Sequence, residues 1–423
     1  MSMMTISLPY GMAYINCELP SDKVRAILEP REMEPNGRPE EVVMMALNKT
    51  FGAARMLHDM ARNKRRVLII TSDQTRPVPS RITLPFLLRE IEAAHAEADL
   101  LIATGLHSSP SSDEMAEKYG EENLERFSNV IVHDSSEEDD QFRVGKLSTG
   151  LELYANKELA KEDQLIIAEG FIEPHFFAGF TGGPKSILPG VAGAKSIMAN
   201  HSPSRIEDQN SRSGILRGNP IQEEMREASS KANLRFVLNV LLDDRKRIVR
   251  AVAGETLVAH EVGCSIVSEY SKVEASPAEI VLTSNNGFPL DRNMYQMVKG
   301  LSAAALTVKS GGVIVIAGEC IDGVGHEKFF EMLAESESPK ELLERIRRGE
   351  IDEEDQWEAQ VLAKVLEKAR VIVVSGGLHK SSVEDMHMIH SNSLEEALGK
   401  AFELTVRESK VTILPRGPAT IVT

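Results

Sequence analysis

Short, unbroken runs of β-branched and other apolar residues, separated by longer amphipathic stretches, constrain this sequence more than any other feature. Val67-Leu68-Ile69-Ile70, Leu100-Leu101-Ile102-Ala103, Val130-Ile131-Val132 and Leu165-Ile166-Ile167-Ala168 have no polar face, so each reads as a strand covered on both sides. Residues 84–94 and the stretch from Ser112 to Tyr119 read as helices between them. A second series follows: Ile280-Val281-Leu282-Thr283, residues 312–317, Val371-Ile372-Val373-Val374 and Val411-Thr412-Ile413-Leu414 as strands, a helix over 293–304, and a mostly helical acidic stretch over 327–358. Residues 236–242 and 248–252, split by Asp243-Asp244-Arg245-Lys246-Arg247, read as a hairpin. The pattern predicts an α/β protein of two Rossmann-like domains, each with a mainly parallel sheet flanked by helices. A chain of 423 residues is also too long for one core. The polar stretch 270–278, with Pro277, places the boundary so that residues 1–272 form one domain and 273–404 the other, the tail 405–423 packing back onto the first.

Composition narrows the function classes. Hydrophobic residues at 42 % and charged residues at 26 % are ordinary for a folded domain, so disorder is not expected. A net charge of −16 argues against nucleic acid, whose phosphates need a basic face, but leaves room for a small anion held by a few local cations. Cys17, Cys264 and Cys320 are few and far apart, which suits a reducing compartment rather than a disulfide framework. The N-terminal residues lack the charged and apolar regions of a secretory signal, and the longest apolar runs are too short to span a bilayer. The expectation is a soluble cytoplasmic protein with no membrane partner.

In open α/β sheets, ligands sit beyond the carboxyl ends of the strands. Asp73-Gln74-Thr75-Arg76-Pro77, Thr104-Gly105-Leu106-His107 and Glu169–His175 each trail a predicted strand, so they converge on one rim, placing the active site in the inter-domain cleft. The stretch from His175 to His201 holds Gly179, Gly182, Gly183, Gly190 and Gly193, which let backbone N–H groups approach a ligand, and Lys185 adds an amine. It is not a phosphate loop of the G-x-x-x-x-G-K-[ST] kind, because Pro184 removes a donor where that loop needs one. His107, His175 and His201 beside Lys185 could supply an acid, a base and a metal ligand, although any one imidazole near a loop is as often a structural hydrogen-bonder. Spacing does not decide which histidine does what.

Five segments, in order, carry a resemblance: SDQTRPVPS (72–80), ATGLH (103–107), HFFAGFTGGPKSILPG (175–190) with His201, MYQMVKG (294–300), and Trp357. Through them the chain resembles the nickel-dependent lactate racemase family over essentially its whole length. The resemblance implies a cofactor-binding first domain and a nickel-pincer nucleotide, a pyridinium mononucleotide whose two sulfur-containing arms hold nickel, tethered through Lys185. It implies that His201 ligates nickel, that His107 and His175 are the acid/base pair, and that Asp73, Thr75, Gly182 and Gly183 surround the cofactor. Arg76, Tyr295, Gln296, Lys299 and Trp357 correspond to residues around a small 2-hydroxy-acid substrate. Such a protein also depends on the enzymes that make the cofactor. One departure is that Ser108-Ser109-Pro110 follows His107 where a basic residue is usual, which leaves the identity of the hydroxy acid open.

The chemistry suits these residue types. The α-hydrogen of a hydroxy carboxylate is a very weak acid, and removing it as hydride avoids a carbanion. The product is a planar 2-keto acid, and a reaction symmetric in two enantiomers calls for one imidazole on each face. Arg76 offers a bidentate fork to a carboxylate and Lys299 a point charge, on the same helix face as Tyr295. Ser80 is placed as the cap of a helix whose N-terminus would receive an anion. His387 and His390 lack a third metal ligand, and the Gly323–His326 turn is expected to border the cleft. Two competing readings are a nicotinamide-dependent 2-hydroxy-acid dehydrogenase, which would need a G-x-G-x-x-G turn that is missing, and a non-catalytic binding homologue, which would not need both His107 and His175.

Overall fold

A computed structural model describes residues 2–52, 56–406 and 408–423. Two six-stranded sheets organise them. The first runs Ile248–Glu255, Leu234–Leu242, Gln164–Phe171, Arg66–Ser72, Glu97–Ala103, Asn129–Val132 across its width. All its pairings are parallel except the hairpin edge formed by Leu234–Leu242 and Ile248–Glu255. The second sheet is wholly parallel, in the order Ile389–Ser391, Arg370–Val374, Val308–Ala317, Ala278–Ser284, Val411–Leu414, Val24–Ile27.

The strand period of two explains why the apolar runs are unbroken. Val67 and Ile69 enter one core with the helices Pro39–Asn48 and Ser80–Ala93, while Leu68 and Ile70 enter another with Ala194–Asn200 and Pro220–Lys231. The second sheet repeats the device. Ile314 and Ile316 face Met294–Ala305 and Gln356–Lys368, and Val313 and Val315 face Leu394–Leu404. Among the described residues no helix is long and apolar enough to cross a membrane. The three cysteines are free and buried.

The structure corrects the allocation of both chain ends. The hairpin Met3–Tyr10 with Ala13–Pro20 lays Ile6, Leu8, Cys17 and Leu19 on the second sheet, and Val24–Ile27 pairs with Val411–Leu414 at that sheet's edge. The first 27 residues therefore belong with the second sheet, because their apolar face and their backbone partners are there. Residues 411–414 are likewise a strand of that sheet, and only the last residues reach the first unit: Ile421 joins Ile172, Phe180 and Leu241 in a separate apolar cluster.

Helix Gln356–Lys368 ties the units together. Its Trp357 sits in the first unit's core, Gln360 Nε2 donates to Pro203 O at 3.0 Å, and Lys364 Nζ donates to Ile206 O at 3.0 Å.

Deleting residues 2–27 should strip four buried side chains, each worth about 1.5–3 kcal/mol, from the second sheet and expose the edge of Val411–Leu414. The expected outcome is a lower unfolding midpoint and aggregation on heating, followed by calorimetry and light scattering. Unchanged stability would return these residues to the first unit.

Candidate active site

The first sheet reverses direction between Arg66–Ser72 and Gln164–Phe171. From the former the chain moves outward to Glu97–Ala103 and Asn129–Val132, and from the latter to Leu234–Leu242 on the other side. Beyond such a switch point, open α/β sheets hold their ligands. A cavity of about 220 Å³ lies there. Asp73, Arg76, His107, His175, Gly182, Lys185 and His201 line it from the first unit, and Tyr295, Gln296, Lys299 and Trp357 from the second. Thr75 and Gly183 are outside this lining. The turn after Arg66–Ser72 holds Pro77 and Pro79 and no glycine, so it cannot wrap a dinucleotide's pyrophosphate in backbone N–H groups.

Asp73 is buried where its strand ends, and it organises the first wall. Its Oδ1 accepts from Thr75 N at 2.7 Å and Thr75 Oγ1 at 2.5 Å, which is the work Thr75 does. Its Oδ2 lies 2.7 Å from His107 Nδ1, and His107 Nε2 lies 3.2 Å from Arg76 Nη2. An arginine can only donate, so these partners assign His107 as the neutral ring with its hydrogen on Nδ1 and its lone pair on Nε2. Burial and the Arg76 charge push the His107 pKa down against the opposing pull of Asp73. Burial raises the Asp73 pKa, but the hydrogen bond and charge of His107 outweigh it and leave the carboxyl below its usual value. The loop itself is pinned from helix Ser112–Tyr119: Lys118 Nζ donates to Arg76 O and, at 2.7 Å, to Val78 O, and Tyr119 donates to Ser72 O at 2.8 Å. Ser80 does not cap the following helix. Pro79 is the N-cap residue, and the Ser80 hydroxyl is buried without a partner.

The glycine-rich loop forms the second wall. Gly182 and Gly183 have φ of 80° and 48°, in the left-handed region where glycine is at ease. A Cβ on Gly183 would stand 2.6 Å from the His260 ring, and one on Gly182 would stand 2.7 Å from Phe171 O. Gly183 thus shapes the loop instead of meeting a ligand, and its N–H donates to Asn239 Oδ1 at 3.0 Å. Lys185 follows in a tight turn, with no hydrogen bond or ion pair at its amine among the described residues. Burial, then the charges of Arg76 and Lys299, bring its pKa down to about 7.

The two remaining imidazoles are held differently. His175 Nδ1 accepts from Ala178 N at 3.2 Å, so the neutral ring carries its hydrogen on Nε2, opposite to His107. His201 donates from Nδ1 to Ile197 O at 3.1 Å, leaving Nε2 as a free lone pair. Burial and the Lys185 charge push His201 down to about 3, so it stays neutral. Its ring packs edge-on against Phe177 and Trp357 at centroid distances of 5.1 and 5.2 Å.

Across the cavity, Lys299 Nζ donates to Gln296 Oε1 at 2.6 Å and Tyr295 donates to Asp355 Oδ1 at 2.7 Å. The Gly323–His326 turn reaches this wall, His326 stacking on Tyr295.

Sequence reasoning placed Glu169 and Glu173 on the rim without giving them a role, and it missed Glu358 and Asn239. Glu173 and Glu358 also line the cavity; Glu358 is only 2 % exposed and its Oε1 is buried without a partner. Burial raises the Glu358 pKa well above the usual carboxylate value. Glu169, buried below the rim, accepts from Thr71 Oγ1 at 2.6 Å and from Thr83. Asn239 carried a signal, since a polar residue in the middle of Phe236–Leu242 needs a partner.

Two α/β units line one cavity with three imidazoles and three cations, an arrangement that can bind a small anion and move protons on it. Models of the lactate racemase N-terminal domain and C-terminal domain match residues 10–214 and 273–422. The chain is 45 % identical over 426 residues to a lactate racemase of Thermoanaerobacterium thermosaccharolyticum, covering 99 % of each. It is 39 % identical over 428 residues to a lactate racemase of Lactiplantibacillus plantarum, covering 99 % of this chain and 100 % of that one. The solved lactate racemase apoprotein of T. thermosaccharolyticum superposes with a TM-score of 0.95 at 43 % identity, over 99 % of this chain and 100 % of that one. A protein from Thermotoga maritima shares the fold alone, with a TM-score of 0.65 at 17 % identity over 92 % of this chain and 99 % of that one. The chain belongs to the lactate racemase family.

Only the neutral amine of a lysine is nucleophilic. In protein made without cofactor, a limiting acylating reagent should therefore modify Lys185 ahead of surface lysines, at a rate rising through about pH 7. Peptide mass mapping across pH checks this; labelling that tracks the surface lysines would contradict the depressed value.

Proposed function

We propose that this chain inverts the α-carbon of a small 2-hydroxy acid, lactate or a near relative, using a nickel-pincer nucleotide joined to Lys185 and ligated by His201. The residues present suit that group. The Lys185 amine is unpaired, and His201 Nε2 is free while its Nδ1 is anchored to a carbonyl, as metal-binding imidazoles are. No three His, Cys, Asp or Glu side chains among the described residues come together as a metal site, so a metal at His201 would draw its other ligands from a non-protein group. When bound, the nucleotide supplies a reversible acceptor for the substrate's α-hydride.

The chain's own residues do the rest. Arg76 and Lys299 take the carboxylate, with Gln296 holding the Lys299 ammonium in place. As Arg76 turns from His107 to the carboxylate it frees Nε2, which removes the hydroxyl proton, and Asp73 stabilises the resulting imidazolium. His175 restores a proton to the substrate oxygen when the opposite configuration forms, from a ring that has first taken up a proton and become cationic, since a neutral imidazole N–H is too weak an acid. Phe176, Phe177 and Trp357 exclude water from the keto stage. The observation that carries this reading is that His107 and His175 face one cavity from different loops, each held at Nδ1 by a different partner, the Asp73 carboxylate for one and Ala178 N for the other.

Protein made in a host that synthesises the nucleotide should exceed its sequence mass by one cofactor and racemise a 2-hydroxy acid while retaining a deuterium label at the α-carbon. Lys185→Ala should lose the added mass, and His201→Ala should lower bound nickel. His107→Ala and His175→Ala should keep the added mass and lose about 10²–10⁴-fold in kcat. Solvent hydrogen appearing at the α-carbon would overturn the hydride route, and full activity in either histidine variant would overturn the two-imidazole assignment.

A further inference from the structure

Each inversion leaves the site in a changed protonation state. His107 has gained a proton and His175 has lost one, so net conversion in one direction requires the proton inventory to be reset from solvent before the next substrate. Arg76 keeps its protons at any accessible pH and offers no route.

The second unit holds a connected set of groups that leads from the cavity wall to the surface. Tyr295, on that wall, donates its hydroxyl to Asp355 Oδ1 at 2.7 Å. Asp355 Oδ2 lies 2.7 Å from His326 Nδ1, and the side chain of Asp355 is 15 % exposed while that of His326 is 47 % exposed. The rings of Tyr295 and His326 stack with centroids 4.0 Å apart and 8° between planes, which fixes both ends relative to the carboxylate. The backbone holds this register too: Met294 N donates to Gly323 O at 3.0 Å and Tyr295 N to Val324 O at 3.1 Å. Gly325 permits the close approach, since a Cβ there would stand 2.7 Å from Asn293. On the inner side, Glu358 lies in the first turn of the helix whose N-cap is Asp355 and lines the cavity, its carboxyl making no hydrogen bond among the described residues. A clamp whose purpose was only to hold Tyr295 would not need a titratable ring at the surface end and an unpartnered carboxyl at the inner end.

We propose that His326, Asp355 and Tyr295 form a proton relay that resets the acid/base pair between turnovers, with Glu358 as the proton-holding group at its cavity end. The inference rests on the racemase reading. Inward, the His326 ring takes a proton from water at Nε2 and passes its Nδ1 proton to Asp355 Oδ2. The Tyr295 hydroxyl swings its hydrogen from Asp355 Oδ1 to the cavity and releases it toward His175, and the protonated carboxyl, turning about its Cβ–Cγ bond, gives its own proton to the Tyr295 oxygen; one proton enters, and His326 keeps its hydrogen on Nε2 until it exchanges with water. The reverse sequence drains His107.

The test uses cofactor-loaded enzyme carrying His326→Gln or Asp355→Asn, neither of which lines the cavity. The relay predicts that the first turnover, measured with enzyme in excess, keeps its rate, while steady-state kcat at saturating substrate falls at least tenfold with KM falling alongside. In His326→Gln, kcat should rise again with added imidazole and depend on buffer concentration, a rescue that a purely structural role would not show. Asp355→Asn should be rescued less, since the carboxyl itself is gone. If first-turnover and steady-state rates fall together, if neither changes, or if imidazole has no effect on the His326 variant, the relay is wrong. Loaded wild-type protein that fails to racemise any 2-hydroxy acid would instead remove the functional reading beneath it.

Discussion

The insertion of Trp357 into the apolar core of the first unit is the contact on which the site depends. The first sheet brings Asp73, His107, His175, Lys185 and His201 to one rim, but a rim is an open surface. Docking helix Gln356–Lys368 there, with its backbone acceptors across Pro203 and Ile206, places Tyr295, Gln296, Lys299 and Glu358 opposite and turns the rim into an enclosed space. Enclosure gives each charge inside its leverage, because the same groups in water would be screened.

Three cations share that space, and their mutual repulsion shapes the chemistry of every neighbour. Arg76 and Lys299 add to burial in lowering Lys185, and the Lys185 charge adds to burial in lowering His175 and His201. Burial and these charges thus both favour the neutral imidazoles. A carboxylate bound among them would offset part of this repulsion and raise the basicity of the neighbouring rings. A site with fewer cations would bind the anion less well, and one with more would leave the histidines too weak as bases.

Much of the strand inventory could be read from the chain because it rests on local pattern. Val67–Ile70 and Ile280–Thr283 are apolar on both faces wherever they are placed, and the polar turn Asp243–Arg247 separates its two strands without help from distant residues. The misplaced features depend on distant partners. Nothing within Val24–Ile27 says that its neighbour is Val411–Leu414, so the N-terminal residues were assigned to the nearer sheet. Ser80 has a capping side chain, but the chain enters that helix through Pro79 and leaves the hydroxyl facing inward. Thr75 and Gly183 stand beside the lining residues in sequence and brace them in space. Glu358 escaped because charged residues are mostly solvated, and Asp355 because its partners, Tyr295 and His326, come from two other segments.

The pairing of Val24–Ile27 with Val411–Leu414 also orders events during synthesis. Asp22 and Lys410, which meet beside it, are 388 residues apart, so the second sheet can close only after the long stretch between its edge strands has been made. The first sheet lies wholly between those limits and can assemble earlier, one unit folding as an insert within the other. Throughout that interval the hairpin Met3–Tyr10 with Ala13–Pro20 and the strand after it wait without their sheet, so the nascent polypeptide carries an uncovered apolar edge while the intervening residues are made.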